Sequence, residues 1–255
     1  MGIFNLTPDS FYDGVNSIDS KFIKEKLLTL KYADIIDVGA ESTRPFSKPL
    51  LANIEIERLD IFLNNSNNLE QLLSIDSYKP EVIEHALKNG FSIINDISGG
   101  GIDNSNIRLA ASYSVPIVIM HMKGNPENMQ IKPMYENIID EIIQYFEMKI
   151  DIMKNEFNLD DKQIILDPGI GFGKTKKDNY TIIDNIDKFK SLGFPVLIGL
   201  SRKSFLSFDR DKPKDRKYSS LTAQLVASIN GADCIRTHDV KETYFSLRTL
   251  DRFKI

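Results

Sequence analysis

The stretch LLSIDSYKPEVIEHALKNGFSIIND, residues 72–96, sets the reading of the whole chain. An apolar run around Leu73 leads into KPEVIEHALKNG, and a second apolar run follows around Ile93. Pro80 suits the first turn of a helix, where its missing N–H removes no hydrogen bond, and Gly90 suits the position just past the last turn. The spacing therefore predicts strand, helix, strand. Both apolar runs end in polar side chains: Asp76 after the first, Asn95 and Asp96 after the second.

The same unit recurs on either side. Further apolar runs are GIFNL near Ile3, DIIDV near Ile36, PIVIM near Val118, QIIL near Ile165, PVLIGL near Leu197 and DCI near Ile235, eight in all with the two above. Continuous rather than alternating apolarity marks strands buried on both faces, as in a parallel sheet. The intervening segments have helical periodicity. Residues 21–32 align Phe22, Ile23, Leu27 and Leu30, and residues 136–157 align Ile139, Ile142, Ile143, Phe146 and Ile150 at three- and four-residue steps. The Asn-rich stretch at 64–68 reads as a turn. Eight βα units favour a closed α/β (β/α)8 TIM barrel over an open doubly wound sheet, and 255 residues suit one such domain spanning 1–255.

Composition narrows the function classes. With 42% apolar and 27% charged residues the chain reads as globular, and no apolar run reaches the roughly 20 residues of a membrane span. The expected compartment is the cytoplasm. A net charge of -4 argues against general nucleic-acid binding, so any anion site must be local. The single cysteine, Cys234, cannot form an internal disulfide and is expected to be buried and inert in a strand.

In a barrel the carboxyl ends of all strands converge on one rim. The polar residues following the eight runs are Asn5, Asp37 with Glu41, Asp76, Asn95 with Asp96, His121, Asp167, Arg202 with Lys203, and Arg236 with His238. Any one of them alone could be a cap or turn residue, and for Asp37 and Asp96 the two readings stand level. Capping does not call for Lys and Arg, so the full set points to a pocket. Asp76, Asn95 and Asp167 suit a flat nitrogen heterocycle whose N–H edge needs acceptors. Arg44, Lys203, Arg236 and His238 suit phosphate oxygens.

DPGIGFGKT does not fit a phosphate loop, because Pro168 stands where that motif requires glycine. Its glycines are expected to let Phe172 and Lys174 approach the pocket. His85, His121 and His238 lack zinc-ligand spacing, whereas an oxygen-coordinated Mg²⁺ bridging a substrate phosphate is compatible with the rim, with Asn5 as one ligand.

NLTPDSF (5–11), ESTRP (41–45), SIDSYKPEV (74–82), INDISGG (94–100), MHMKGNPENMQ (120–130), LDPGIGFGK (166–174), GLSRKS (199–204) and IRTHDV (235–240) follow in order over nearly the whole chain. At these segments the sequence resembles the dihydropteroate synthase family. That resemblance implies condensation of 6-hydroxymethyl-7,8-dihydropterin diphosphate with p-aminobenzoate, release of pyrophosphate, a Mg²⁺ ion and a homodimer. It implies that Asp76, Asn95, Asp167 and Lys203 bind the pterin, with Met120 lining its ring. Asn5, Arg44, Arg236 and His238 would hold the diphosphate and its metal. Thr43, Pro45, Phe172, Ser204 and Phe11 would shape the amine pocket, and Asp76, Lys203, Arg236 and His238 would carry the catalysis. The chain departs from the family pattern at Phe46, where glycine is usual, and at Gly14–Val15 in place of a glycine pair. Two further readings share parts of this pattern: a pterin-binding paralogue without turnover, and a methyltransferase acting on methyltetrahydrofolate and a corrinoid protein. The second would not need the TPDSF, STRP or GLSRKS segments.

Overall fold

The computed structural model describes residues 1–7, 20–41, 49–66, 68–124, 129, 133–208 and 212–253. Among these are eight short strands: β1 (Gly2–Asn5), β2 (Ile35–Gly39), β3 (Leu72–Asp76), β4 (Ile93–Asp96), β5 (Ile117–Met120), β6 (Ile164–Asp167), β7 (Leu197–Gly199) and β8 (Cys234–Arg236). Helices alternate with them: α1 (Ser20–Thr29), α2 (Ala52–Leu63), α3 (Pro80–Lys88), α4 (Ser105–Tyr113), α5 (Ile138–Asn155), α6 (Lys176–Asp184), α7 (Ile186–Lys190), α8 (Lys217–Ile229) and α9 (Val240–Leu250).

β1 to β6 form a parallel sheet in chain order, and β7 pairs in parallel with β8. Two seams close the ring. Between β6 and β7, Leu166 N donates to Pro195 O at 2.9 Å beside a bridge to Val196. Between β8 and β1, Ile3 N donates to Thr237 O and Thr237 N to Met1 O, each at 3.0 Å. The fold is therefore a (β/α)8 barrel, and these bonds exclude the open sheet.

Local chemistry explains the helices. Pro80 opens α3, which buries Val82, Ile83, Ala86 and Leu87, and Gly90 follows its end at φ +92°. The side chain of Asn137 caps α5 by accepting from Ile139 N and Asp140 N. Thr175 and Asp178 form a reciprocal capping box at the start of α6. The segment after α2 turns at Asn64 and Asn65, as its composition predicts. Among the described residues no helix is long and apolar enough to cross a membrane.

The strands' two faces do different work. Outward side chains such as Phe4, Ile36, Ile75, Ile94, Ile119 and Leu166 pack with the helices into the main core. Inside the ring a smaller cluster of Ile93, Val118 and Leu197, with Met1, Ile35, Ile165 and Cys234 against it, fills the floor. Two residues further along the same strands, the inward positions change character: Ile35 gives way to Asp37, Ile93 to Asn95, Ile165 to Asp167 and Cys234 to Arg236. Burial pushes the Cys234 thiol above its ordinary value, in keeping with an inert floor residue.

Candidate active site

Strand register sets the polar layer. Asp76 pairs with Asn95, Met120 with Asp167, and Gly199 with Arg236. These positions surround a cavity at the carboxyl ends of the strands. Of the expected residues, Asp76, Asn95, Met120, Asp167, Phe172, Lys203, Arg236 and His238 line it. Asn5 and Ser204 do not: Asn5 ends β1 half-buried, and Ser204 is exposed at the start of a 3-10 turn beyond Lys203. Phe11, Thr43, Arg44 and Pro45 lie outside the described residues, as do Gly14, Val15 and Phe46.

An ion network crosses the ring. Arg236 Nε donates to Asp37 Oδ2 at 2.6 Å, and its terminal nitrogen donates to Asp76 Oδ2 at 2.5 Å. Asn95 Nδ2 donates to the same Asp37 oxygen at 2.9 Å, and Asn95 lines the cavity. Asp37 is completely buried. Asp37 Oδ1 and Asp76 Oδ1 are buried acceptors without a hydrogen-bond partner. Two carboxylates thus share one guanidinium. Burial pushes Asp76 up to about 7 despite Arg236, and Asp37 adds to the rise. Arg236 is itself held above its ordinary value: burial opposes its charge, but Asp37 and Asp76 outweigh that penalty.

Beside this network, burial also raises Asp167, with Lys203 opposing, and Asp167 Oδ1 accepts from Gly169 N at 2.7 Å. Lys203 Nζ donates to Ile170 O and lies 4.9 Å from the centre of the Phe172 ring. Burial lowers Lys203 to about 8. His238 Nδ1 lies 3.1 Å from Ser201 Oγ, which also accepts from His238 N.

Several strand-end residues turn elsewhere. Asp96 accepts from Ser98 N, Ser98 Oγ, Gly100 N and Asn106 Nδ2, so it organises the turn after β4, whereas Asp37 belongs to the site. Arg202, in the left-handed region at φ +57°, forms a two-point pair with Asp239, not with the cavity. Glu41 is held by Lys79, by Tyr78 Oη at 3.0 Å and by Leu50 N at 3.1 Å. Lys174 does not line the cavity as expected; it is buried against His121. His85 sits in α3 beside Asp60.

Sequence reading missed Ile3, Ile97, Gly199 and Ser201 in the lining, and it left Asp37 level between cap and pocket, where the fold makes it the anchor of Arg236. Period-two alternation along each strand and one or two residues past its end was the available signal: Ile3, Asp37, Ile97, Gly199 and Ser201 all fall in phase with the floor residues. Gly39 shows a close approach, since a Cβ there would meet Asp76 Oδ2 at 3.2 Å.

Residues 1–238 match the family model described as pterin binding enzyme. Dihydropteroate synthase of Synechocystis sp. is 39% identical over 246 residues, covering 94% of this chain and 85% of that protein. Dihydropteroate synthase of Escherichia coli is 36% identical over 255 residues, covering 98% and 90%. Among solved structures, the Yersinia pestis dihydropteroate synthase in complex with a sulfonamide drug superposes with a TM-score of 0.91 at 32% identity, covering 98% of this chain and 92% of that one. The chain belongs to the pterin binding enzyme family and, within it, with the dihydropteroate synthases.

Proposed function

We propose that this transferase condenses 6-hydroxymethyl-7,8-dihydropterin diphosphate with p-aminobenzoate, giving 7,8-dihydropteroate and pyrophosphate in folate biosynthesis. One observation carries the reading. The buried face of the cavity offers acceptors (Asp76 Oδ1, Asn95 and Asp167), while Lys203, Arg236 and His238 stand beside it. A pterin has the N–H-rich edge that such acceptors need, and its diphosphate has the charge that the cations need.

An electron-rich dihydropterin stabilises positive charge on its exocyclic CH₂, so the C–O bond to diphosphate can break ahead of attack by the amine. The buried carboxylate of Asp76 would stabilise that charge electrostatically, and Arg236 and His238 would receive the departing diphosphate. Lys203 and Asp167 would hold the ring, with Met120 against its face. Phe172, with Thr43, Pro45, Ser204 and Phe11, would orient the aromatic amine, and Arg44 would reach the diphosphate. Positioning replaces a nucleophilic side chain in this scheme.

Mg²⁺ belongs to the same proposal. Among the described residues no group of three or more His, Cys, Asp or Glu side chains could hold a metal. In this reading the protein's contribution would be the Asn5 amide oxygen, with diphosphate and water supplying the other ligands, as suits a hard ion that keeps much of its hydration. Bound there, the ion would neutralise leaving-group charge. A cytoplasmic homodimer built from one 1–255 domain completes the reading.

Purified protein should release pyrophosphate only when the pterin diphosphate, p-aminobenzoate and Mg²⁺ are all present, and a sulfonamide should compete with the amine. Lys203→Ala should lose pterin binding and at least about 100-fold in turnover while its circular dichroism stays native. Pyrophosphate release that ignores the amine, or full activity in Lys203→Ala, would defeat the assignment.

A further inference from the structure

The most unusual buried group outside this scheme is Lys174, which is only 3% exposed. Among the described residues no carboxylate lies within ion-pair distance of it. Its ammonium instead donates to Phe172 O at 2.9 Å and to His121 O at 3.1 Å, and His121 Nδ1 lies at 3.1 Å. Burial pushes His121 down to about 3, so its ring is neutral and Nδ1 can accept. All three ammonium protons are then used. A buried cation without a counter-ion is expensive unless it is fully hydrogen-bonded, and removing such bonds leaves orphaned acceptors.

The three acceptors come from two segments: His121 follows β5, and Phe172 lies in the loop after β6. Around Lys174 these segments lie directly on one another. A Cβ at Gly169 would meet His121 O at 1.9 Å, and one at Gly173 would meet Lys123 O at 2.5 Å. Tyr135 Oη donates to Gly173 O at 2.8 Å, and Asn179 Oδ1 accepts from Gly171 N at 2.6 Å. The Phe172 ring, one step from this junction, faces the cavity under Lys203.

We propose that Lys174 is a positioning residue whose ammonium clasps the loop after β6 to the end of β5 and thereby fixes Phe172 against the aromatic amine. This rests on the reading of Phe172 as part of the amine pocket. Lys174 acts through the backbone of Phe172 and His121 and touches neither substrate. Its protonation state enters too. Burial lowers it to about 7, Lys203 adds to the fall, and Asp167 and Asp178 oppose it. Neutral His121 and Lys123 also face the junction. As pH rises through 7 the clasp loses one of its three donor protons.

The test compares Lys174→Met and Lys174→Arg with the wild type, reading KM for each substrate, the pH profile and amide exchange over residues 169–174. The Met variant should raise KM for p-aminobenzoate tenfold or more while KM for the pterin diphosphate moves less than twofold, and exchange should quicken in that loop alone. Arginine, charged at every accessible pH, should restore most of the amine affinity and remove the rise in amine KM between pH 6.5 and 8.5; a limb remaining about one unit higher belongs to Lys203. An unchanged amine KM in a folded Met variant, or both KM values rising together with faster exchange across the barrel, would overturn the proposal. If the Met variant does not fold, the arginine profile decides in an Asp76→Asn background, which removes the other group titrating near 7: an amine-KM limb near pH 7 that arginine leaves unaltered there refutes the clasp. If the wild type forms no dihydropteroate, the functional reading fails, and the exchange data still judge the clasp by whether the loop alone loosens.

Discussion

At the residue scale, one guanidinium organises the centre of the cavity. Arg236 would be a poor phosphate ligand if both of its carboxylate partners were fully ionised, because Asp37 and Asp76 together outweigh its charge. The raised Asp76 pKa relieves part of that excess by letting a proton sit on Asp76. The consequence for stability has a definite sign. Between the ordinary carboxylate value of 3.8 and the folded value of about 7, Asp76 binds more protons in the native than in the unfolded state, so its own contribution to the stability of the ligand-free protein should fall as pH rises through that window, against the opposite contribution of His121, which folding lowers to about 3. Asp76→Asn should flatten this dependence in urea unfolding from pH 4 to 7.5, and should lower kcat/KM by about 100-fold through loss of the carboxylate facing the developing cation. A variant that keeps the wild-type slope would show that another group titrates.

At the scale of elements, the loops matter more than the helices they join. Gly169 adopts φ +71°, a left-handed conformation, and has no room for a side chain because His121 O occupies the Cβ position at 1.9 Å. Glycine is there for both reasons at once, backbone freedom and close approach. Gly169→Ala should therefore destabilise the protein by about 2–4 kcal/mol in equilibrium unfolding, well above the approximately 1 kcal/mol of an ordinary substitution. A loss below about 1 kcal/mol would mean that the β6 loop yields easily. That outcome would also weaken the case for a rigid seat under Phe172.

For the whole molecule, stability depends on the shell between barrel and helices more than on the barrel's inside. Phe4 is fully buried, with its ring centre 5.0 Å from Phe62 and 6.2 Å from Phe22, so it joins β1 to both α1 and α2. Phe4→Ala should cost about 3–5 kcal/mol in a single unfolding transition monitored by circular dichroism, while leaving the cavity residues in place. A fully active variant with an unchanged midpoint would contradict the weight placed on this contact. The ring of strands itself has only four or five residues in its longer members, so its closure through Thr237 and Leu166 needs that outer packing.

The sequence by itself determined the βα alternation, the barrel and seven of the residues around the cavity, with Met120 following from the family resemblance, because strand burial, proline at a helix start and glycine at its end act over a few neighbouring positions. Local rules could not say which way a strand-end side chain turns. Asp37 and Asp96 look alike in the chain. Only the ring placed Asp37 across from Arg236, while the turn after β4 took up Asp96. In the same way GLSRKS offers two cations side by side, and only the folded barrel sends Lys203 to the cavity and Arg202 to Asp239. Lys174 was expected at the pocket because it ends a glycine-rich segment, yet the close stacking of the β5 and β6 loops turned its ammonium onto backbone oxygens. Arg236 reaches Asp37 across 199 positions, Lys174 reaches His121 across 53 and Arg202 reaches Asp239 across 37, contacts that exist only once the barrel has closed, whereas Asp96 is taken up by partners two to ten positions away.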